Sequence, residues 1–336
     1  MATNQTNVMT SHNLLNYSGM LFNKGNTRTP FSTLIGGKSR NVNHWEFATS
    51  LDYTTGGGTA QPAITETASL TAPTPEFVTR LQNTNYCQIF QRALKISYGK
   101  MSSMGQLSGL NVSGQQANPA TELDFQVANS MAAMANDIEY TFVNGVKANG
   151  THDDVAYKTD GIIHAVTSNT KAAASAGLGY WLLAELVEMI ANANAPTDSL
   201  VAMAAPVHIM QINADASSNG LTVIPAARDV NGIKIDVLIT PFGSLGLLAN
   251  PYVPAGTCVV VNPTVCAPVN MPVPNKGNFF LESLAKTGAA ESYQIYGQAG
   301  LDYGAEWYHG KITGLATSFT APTYSKKVFV VNGSST

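Results

Sequence analysis

Two alternating segments joined by a long connection constrain the fold of this chain more than any other feature. Polar and apolar residues alternate from His44 to Thr54 and again from Glu76 to Gln82, which is the pattern of half-buried strands. The residues predicted to share the inner face are Trp45, Phe47, Leu51 and Tyr53 in the first strand and Phe77, Thr79 and Leu81 in the second. The connection contains Gly56-Gly57-Gly58 and three prolines, so the sequence predicts a projecting β-hairpin whose long tip binds a neighbour.

Charged residues are scarce, which limits the classes of partner. Asp, Glu, Lys and Arg make up 12% of the 336 residues, and the formal net charge is -3. Large permanent interfaces are depleted of charge at their centres, so this composition favours broad contact with copies of the same chain. An ordinary neutral secreted domain is the alternative. Lysines and arginines do not cluster, which argues against tight nucleic-acid binding.

The first 43 residues are rich in Asn, Thr, Ser and Gly, with two small apolar groups. Such a segment cannot build a core of its own, so we predict an arm that orders on another surface. Its apolar residues are Leu14, Leu15, Met20, Leu21, Phe22, Phe31, Leu34 and Ile35. The start of the chain lacks a charged and apolar leader, and the three cysteines have no metal-ligand or redox spacing. We therefore expect a chain that stays in a reducing cytoplasm and has no membrane span.

The remainder of the chain mixes helices and strands and predicts an α+β fold. Residues 86–98 alternate as a strand, and apolar steps of three and four predict a long helix from Pro119 to Lys147. A second helix is predicted over Leu178–Ala193. Shorter elements follow, namely strands at Ser199–Ala204, Ile233–Ile239 and Cys258–Val261 and a helix at Pro206–Ala214.

Motifs for catalysis are weak throughout. Gly36-Gly37-Lys38-Ser39 resembles the end of a phosphate-binding loop, but Ser32 stands where that loop needs glycine. His152, Asp153 and Asp154, with His164 nearby, contain metal-ligand types, yet their flanks indicate a solvated loop. His44, His208 and His309 are predicted to be structural. We expect no enzyme activity, no cofactor and no metal.

Several short motifs together resemble the major capsid proteins of tailed bacteriophages. They are residues 29–37 (TPFSTLIGG), 44–47 (HWEF), 284–288 (LAKTG) and 299–315 (AGLDYGAEWYHGKITGL), and they occur along most of the chain. The resemblance implies the Hong Kong ninety-seven fold of tailed-phage and herpesvirus shells. The chain would then be a virion structural protein that assembles in the bacterial host.

This resemblance implies a division of the chain into named parts. They are an N-terminal arm (1–43), an extended loop (44–85), a peripheral domain (86–158) with its spine helix (119–147), an axial domain (159–273), and a return to the peripheral domain (274–336). Expected partners are copies of the chain as hexamers and pentamers, a separate scaffold, a portal, possible decoration proteins, and enclosed double-stranded DNA bound without sequence specificity.

The predicted contact residues lie in the loop and the arm, and they are Trp45, Phe47, Tyr53 and Phe77 in the loop and Leu14, Leu15 and Phe22 in the arm. One relative of this fold cross-links its shell through a lysine in the extended loop. Residues 44–85 contain no lysine, so we expect non-covalent overlap. Three alternatives stay open: an encapsulin-type cargo shell, a surface adhesin or fibre protein, and a metal-dependent hydrolase built on His152 and Asp154.

Overall fold

A computed structural model describes residues 28–56, 58, 60–102, 122–150, 154–218, 223–230 and 233–319. The chain divides into two compact units, and the described residues fall within them. Unit 1 comprises Met1–Thr167, Val230–Ile233 and Asn262–Tyr308, and unit 2 comprises Ser168–Asp229, Lys234–Val261 and His309–Thr336.

Helices and strands are numbered here in chain order. The N-terminal part contains α1 (Pro30–Ile35), β1 (Arg40–Asn41), β2 (Glu46–Tyr53), α2 (Glu66–Ser69), β3 (Arg80–Tyr86), β4 (Gln88–Ser97), α3 (Tyr98–Ser102) and α4 (Glu122–Asn144). The middle contains α5 (Ile162–Ala165), β5 (Thr170–Ala172), α6 (Tyr180–Asn192), β6 (Val201–Ala204), α7 (Pro206–Ser218), β7 (Val223–Val230), β8 (Ile233–Thr240), β9 (Gly243–Ala249) and β10 (Thr257–Val261). The C-terminal part contains β11 (Ala267–Asn270), β12 (Phe279–Ser283), β13 (Ala290–Asp302) and β14 (Gly310–Thr313).

Unit 1 is organised around the long strand β13. Along one edge β13 pairs antiparallel with β4, and along the other it pairs first with β12 and then with β11. Strand β1 adds to β11 in parallel. Helix α4 packs on β4 and β13, and the Arg92–Asp137 ion pair joins β4 to the helix at 2.6 Å.

The end of α4 is fixed by two glycines that lie back to back. A Cβ on Gly145 would come within 2.6 Å of the carbonyl oxygens of Thr141 and Thr159, and a Cβ on Gly161 would lie 2.5 Å from the amide nitrogen of Gly145. This close approach requires glycine at both positions. The long helix predicted to end at Lys147 therefore ends at Asn144, and its predicted start at Pro119 lies outside the described residues.

Residues 30–41, which the sequence placed in the arm, belong to the folded part of unit 1. Phe31, Leu34 and Ile35 of α1 are buried, and the backbone amides of Phe31 and Ser32 donate to the buried carboxylate of Glu139 at 2.8 and 2.7 Å. The carboxylate thereby serves as the cap of α1, which has no capping side chain of its own. These three apolar residues of the predicted arm order on α4 of the same chain.

Unit 2 is built on a seven-stranded mixed sheet with the order β5-β14-β10-β6-β9-β8-β7. Strand β6 is buried along its whole length, as is nearly all of β10, which explains their continuous apolar sequences. Helix α6 packs so closely on β14 that a Cβ on Gly310 would meet Leu186 at 2.8 Å. Buried Gln211 of α7 accepts from the Leu178 amide and donates to the carbonyls of Ala316 and Ser318, each at 2.9 Å.

Most of the predicted elements are confirmed with shifted ends. The helix predicted over Leu178–Ala193 is α6, the one predicted over Pro206–Ala214 is α7 and continues to Ser218, and the predicted strand 86–98 is β4. The strands predicted in unit 2 are β6, β8 and β10. None of the helices in the described part of the chain is both long and apolar enough to cross a membrane.

We expect Glu139→Gln to destabilise the subunit by about 1–3 kcal/mol, because it replaces one of the oxygens that accept from α1 and removes the charge. Urea unfolding of unassembled subunits, followed by circular dichroism, measures this change. Asp137→Asn is the matched control two residues earlier on the same helix. Its ion pair with Arg92 is exposed, so its loss should cost less than about 1 kcal/mol. Equal effects of the two variants would contradict the capping role of Glu139.

All three cysteines are buried, and none of them forms a disulfide. Burial raises the pKa of Cys87 and of Cys258 to about 12, with nearby Arg40 opposing the shift at Cys87, and it also raises the pKa of Cys266. Thiolate is the reactive form, so the folded chain should not react with a disulfide reagent at pH 8, whereas the denatured chain should react at all three positions. Spectrophotometric thiol titration checks this, and rapid labelling of the native chain would contradict it.

Candidate inter-subunit contact surface

The β2–β3 hairpin exposes seven large apolar side chains. The two strands form a sheet of their own, and every described side chain from Tyr53 to Gln82 is exposed. The large apolar residues exposed on the hairpin are Leu51, Tyr53, Ile64, Leu70, Phe77, Val78 and Leu81. A two-stranded ribbon is marginal in water, and exposed apolar surface on this scale marks an interaction site.

The four predicted loop contacts separate into two pairs. Phe77 is 87% exposed and Tyr53 is 65% exposed, so both are available to a partner. Phe47, in contrast, is 6% exposed and packs with Cys87 and Val269 in the core of unit 1. Trp45 is half-buried and stacks on Tyr157 with ring centroids 5.1 Å apart. Trp45 and Phe47 therefore anchor the base of the hairpin in their own subunit.

A bulge in β2 corrects the predicted face of the first strand. Ala48 pairs with Thr84 and Ser50 with Asn83, so Thr49 is an extra residue in β2. The extra residue reverses the alternation, and Leu51 and Tyr53 lie on the opposite face from Phe47. Ser50 and Asp52 take the face of Phe47, where Asn83 Nδ2 donates to both of their side chains. The second strand lies further along the chain than predicted, because β3 begins at Arg80 and leaves Phe77 in the connection.

Buried Asn85 joins the base of the hairpin to two other segments of unit 1. Its side-chain nitrogen donates to Leu301 O at 2.7 Å and to Thr159 Oγ1 at 3.1 Å, and its side-chain oxygen accepts from the Asp160 amide at 2.8 Å. The Leu301 amide in turn donates to Thr159 Oγ1 at 3.0 Å. One side chain thus connects β3, the segment after α4, and β13, and it holds the hairpin in a fixed position at its base.

Candidate chemical sites receive no support in the described residues. Lys38 donates to the carbonyls of Pro263 and Thr264, which excludes the phosphate-loop interpretation for residues 36–39. His152 and Asp153 lie outside the described residues, and Asp154 is exposed. No group of three His, Cys, Asp or Glu side chains that could hold a metal occurs within the described ranges.

The histidines predicted to be structural differ in burial. His208 is buried with both ring nitrogens engaged, because Nδ1 lies 2.9 Å from Gln211 Oε1 and Nε2 accepts from the Gly256 amide at 2.9 Å. His309 is also buried. His44 is exposed, and its Nδ1 accepts from the Glu46 amide at 3.1 Å in a local turn.

Comparison with protein-family models identifies the family. The model of the SU10 major capsid protein matches residues 3–316, which is nearly the whole chain. The chain belongs to this family. It is therefore a capsid protein whose place is the virion shell, and the predicted phage resemblance is confirmed. A comparison with curated proteins finds no match.

Solved structures confirm the capsid fold at low sequence identity. The chain in the cyanophage A-1(L) capsid is 10% identical, with a TM-score of 0.63 over 90% of this chain and 97% of that chain. The SrpI encapsulin of Synechococcus elongatus PCC 7942 is 10% identical, with a TM-score of 0.59 over 86% and 88%. A chain of Mycobacterium phage Patience is 10% identical, with a TM-score of 0.57 over 87% and 85%. The Hong Kong ninety-seven-type α+β fold predicted for the capsid protein is thus correct.

Sequence reasoning found the hairpin but missed several of the residues that shape it. Ile64, Leu70 and Val78 are exposed apolar residues inside a Gly- and Pro-rich connection, and that contrast is a signal for a contact surface. Asn85 gave no signal, because a buried amide and a solvated one look alike in sequence. The predicted arm contacts Leu14, Leu15 and Phe22 lie outside the described residues and stay predictions.

We expect Asn85→Ala to destabilise the unassembled capsid protein by at least about 2 kcal/mol, because it leaves buried backbone groups of Asp160 and Leu301 without partners. Asn83→Ala, two residues earlier on β3 and only partly buried, is the control and should cost less than about 1 kcal/mol. Urea unfolding gives the two values. Hydrogen exchange should also rise at the amides of Tyr86 and Cys87 in Asn85→Ala alone, and unchanged exchange there would contradict the anchoring role.

Proposed function

We propose that this capsid protein forms an icosahedral phage head of hexamers and pentamers, which encloses double-stranded DNA and is held together by non-covalent overlap. The observation that carries the proposal is the hairpin, because a member of a shell-forming family projects at least six large apolar side chains that its own unit leaves exposed. A neighbouring copy is the partner that such a family supplies. Burial of this surface between copies would supply the assembly free energy.

The chemistry of the hairpin supports association without a covalent link. Residues 44–85 contain no lysine, and between Tyr53 and Arg80 the charged residues are Glu66 and Glu76. Large aromatic residues surrounded by uncharged ones are the composition of binding hot spots. Tyr53 and Phe77 are the proposed anchors. The arm before α1 is a second proposed contact, through Leu14, Leu15 and Phe22.

The two compact units support an assignment of the proposed domains. Unit 1 contains α4 and the β13 sheet, as expected for the peripheral domain with its spine helix, and unit 2 corresponds to the axial domain. In this assignment the axial domain extends from Ser168 to Val261 and takes a further segment from His309 onwards. The extended loop keeps its proposed range of 44–85.

The remaining partners are proposed from the capsid function. A scaffold encoded as a separate protein, a portal and possible decoration proteins would direct assembly and completion of the shell. The low charge favours a container that holds DNA by enclosure, since dense phosphate neutralisation needs clustered cations. An encapsulin shares the fold, but the family match covers nearly the whole chain and favours the phage head.

We expect Phe77→Ala to abolish or strongly reduce particle formation while leaving the stability of the subunit within about 0.5 kcal/mol of the parent, since the side chain is exposed before assembly. Electron microscopy and size-exclusion chromatography of the purified protein, with its scaffold where one is required, measure assembly. Thr79→Ala is the control in the same exposed segment and should assemble normally. Normal particles from Phe77→Ala would remove this anchor from the proposal, and a parent chain that stays monomeric would overturn the shell itself.

A further inference from the structure

The bulge in β2 lies at the boundary between two differently held parts of the hairpin. On the inner side Phe47 is in the core and Asn85 is fully buried. On the outer side, Asn83 Nδ2 lies 3.0 Å from Ser50 Oγ and 2.5 Å from Asp52 Oδ2, so the two strands are cross-linked by side chains. The extra residue Thr49 separates the anchored part from the exposed part. The hairpin therefore consists of two internally held pieces with a single irregular step between them.

A side chain from outside the hairpin holds this step. Arg40 Nη2 donates to the carbonyl oxygen of Ala48, the residue before the extra Thr49, at 2.8 Å. A bulge interrupts the regular ladder at this position, so the carbonyl takes a hydrogen bond from a cationic donor, which is stronger than a neutral one. The guanidinium also lies 5.6 Å from the ring centroid of Phe47. Arg40 thus contacts both residues on the inner side of the bulge.

Arg40 is itself attached to the rigid sheet of unit 1. Its backbone is in β1, which pairs with β11 at Val269. Its Nη2 atom forms an ion pair with Asp302 Oδ2 at 2.8 Å, and the Oδ1 atom of Asp302 accepts from the Gly304 amide at 3.0 Å. Asp302 is the last residue of β13. The side chain of Arg40 therefore connects the central strand of the sheet to the carbonyl at the bulge.

Small rotations at the bulge produce large displacements at the contact surface. A residue six positions along a strand lies about 20 Å away, so a rotation of about 10° at the bulge moves it by about 3.5 Å. That distance is comparable to a van der Waals contact and is enough to separate an aromatic anchor from its pocket. Closed shells also need one chain to meet its neighbours at slightly different angles in different rings. The angle at this step is therefore a quantity that assembly depends on.

We propose that Arg40 is a positioning residue for assembly, which sets the angle at which the outer hairpin leaves unit 1 and thereby the curvature of the shell. This role rests on the proposed hairpin contact between copies. Thr49 supplies the joint, Arg40 restricts it, and Asp302 holds Arg40. The outer hairpin keeps its own shape through Ser50, Asp52 and Asn83 while its direction changes.

The experiment compares Arg40→Ala with Arg92→Ala. Arg92 is the control. Its side chain is 40% exposed and that of Arg40 is 44% exposed. Arg92 also pairs with an aspartate, Asp137, which lies in α4 away from the hairpin. Subunit unfolding midpoints and electron micrographs of the assembled material are recorded for both. We expect a larger loss of stability in Arg40→Ala than in Arg92→Ala, because Asp302 is 14% exposed whereas Asp137 is 53% exposed. We expect a loss of the single parental particle diameter only in Arg40→Ala, which should give mixed sizes, tubes or open sheets.

Deletion of Thr49 provides a second test that does not depend on Arg40. The deletion removes the extra residue but keeps the pairs Ala48–Thr84 and Ser50–Asn83, so both faces of the hairpin are preserved. We expect folded subunits whose particles again depart from the parental diameter.

Arg40→Lys keeps a cationic donor at this position. Compared with Arg40→Ala, it should restore the parental particle diameter in part.

The outcomes separate this proposal from the shell function. Parental particles from both Arg40→Ala and the Thr49 deletion would overturn the positioning role and leave the shell function intact. If Arg92→Ala alters the distribution of particle diameters as much as Arg40→Ala does, lost stability and not the hairpin angle controls the diameter. That result would also overturn the positioning role. Failure of the parent chain to form particles would instead remove the proposed function on which the inference rests.

Discussion

The hydrogen bonds of buried Asn85 are the interaction on which the rest of unit 1 depends. A buried amide is stable only when its donors and acceptors are satisfied, and here the partners come from two segments that are distant from Asn85 in the chain. The geometry is consequently specific, since moving any one of the segments leaves a polar group unpaired in the core. This requirement holds the base of the hairpin, the segment after α4 and the end of β13 in a fixed arrangement. A projecting hairpin needs such a base, because its outer part has no core to orient it.

In the proposed shell, the stability of the subunit and the stability of the assembly arise from different parts of the same hairpin. Phe47 and Trp45 bury their rings inside unit 1, and Phe77 and Tyr53 leave theirs in water. The first pair contributes to folding of the single chain. The second pair can contribute only after a partner arrives, so the free-energy gain from burying it belongs to association. Because an isolated two-stranded ribbon is marginal, association also stabilises the ribbon itself. Folding of the outer hairpin and assembly are therefore coupled.

Elements defined by local periodicity could be predicted from the sequence, and features defined by distant partners could not. Helix α6 and strands β4, β6 and β10 follow from their apolar spacing, and their ends were wrong by only a few residues. The bulge at Thr49 escaped prediction because one extra residue leaves the composition of the strand unchanged while it reverses every face beyond it. Helix α1 escaped because its partner, Glu139, lies 108 positions away in sequence. The same limit applies to Arg40, whose two acceptors belong to Ala48 and Asp302.

Low charge and a bulged hairpin solve related problems in a shell built from one chain. Each copy meets neighbours at several angles, and a contact made of fixed ion pairs would lose its geometry when the angle changes, leaving desolvated charges unpaired. Apolar contact is not directional, so it tolerates such changes with a smaller loss. The hairpin between Tyr53 and Arg80 follows this logic, with two carboxylates among many apolar and hydroxyl side chains. Directional bonds are instead concentrated at the base, where Arg40 and Asn85 act within one subunit.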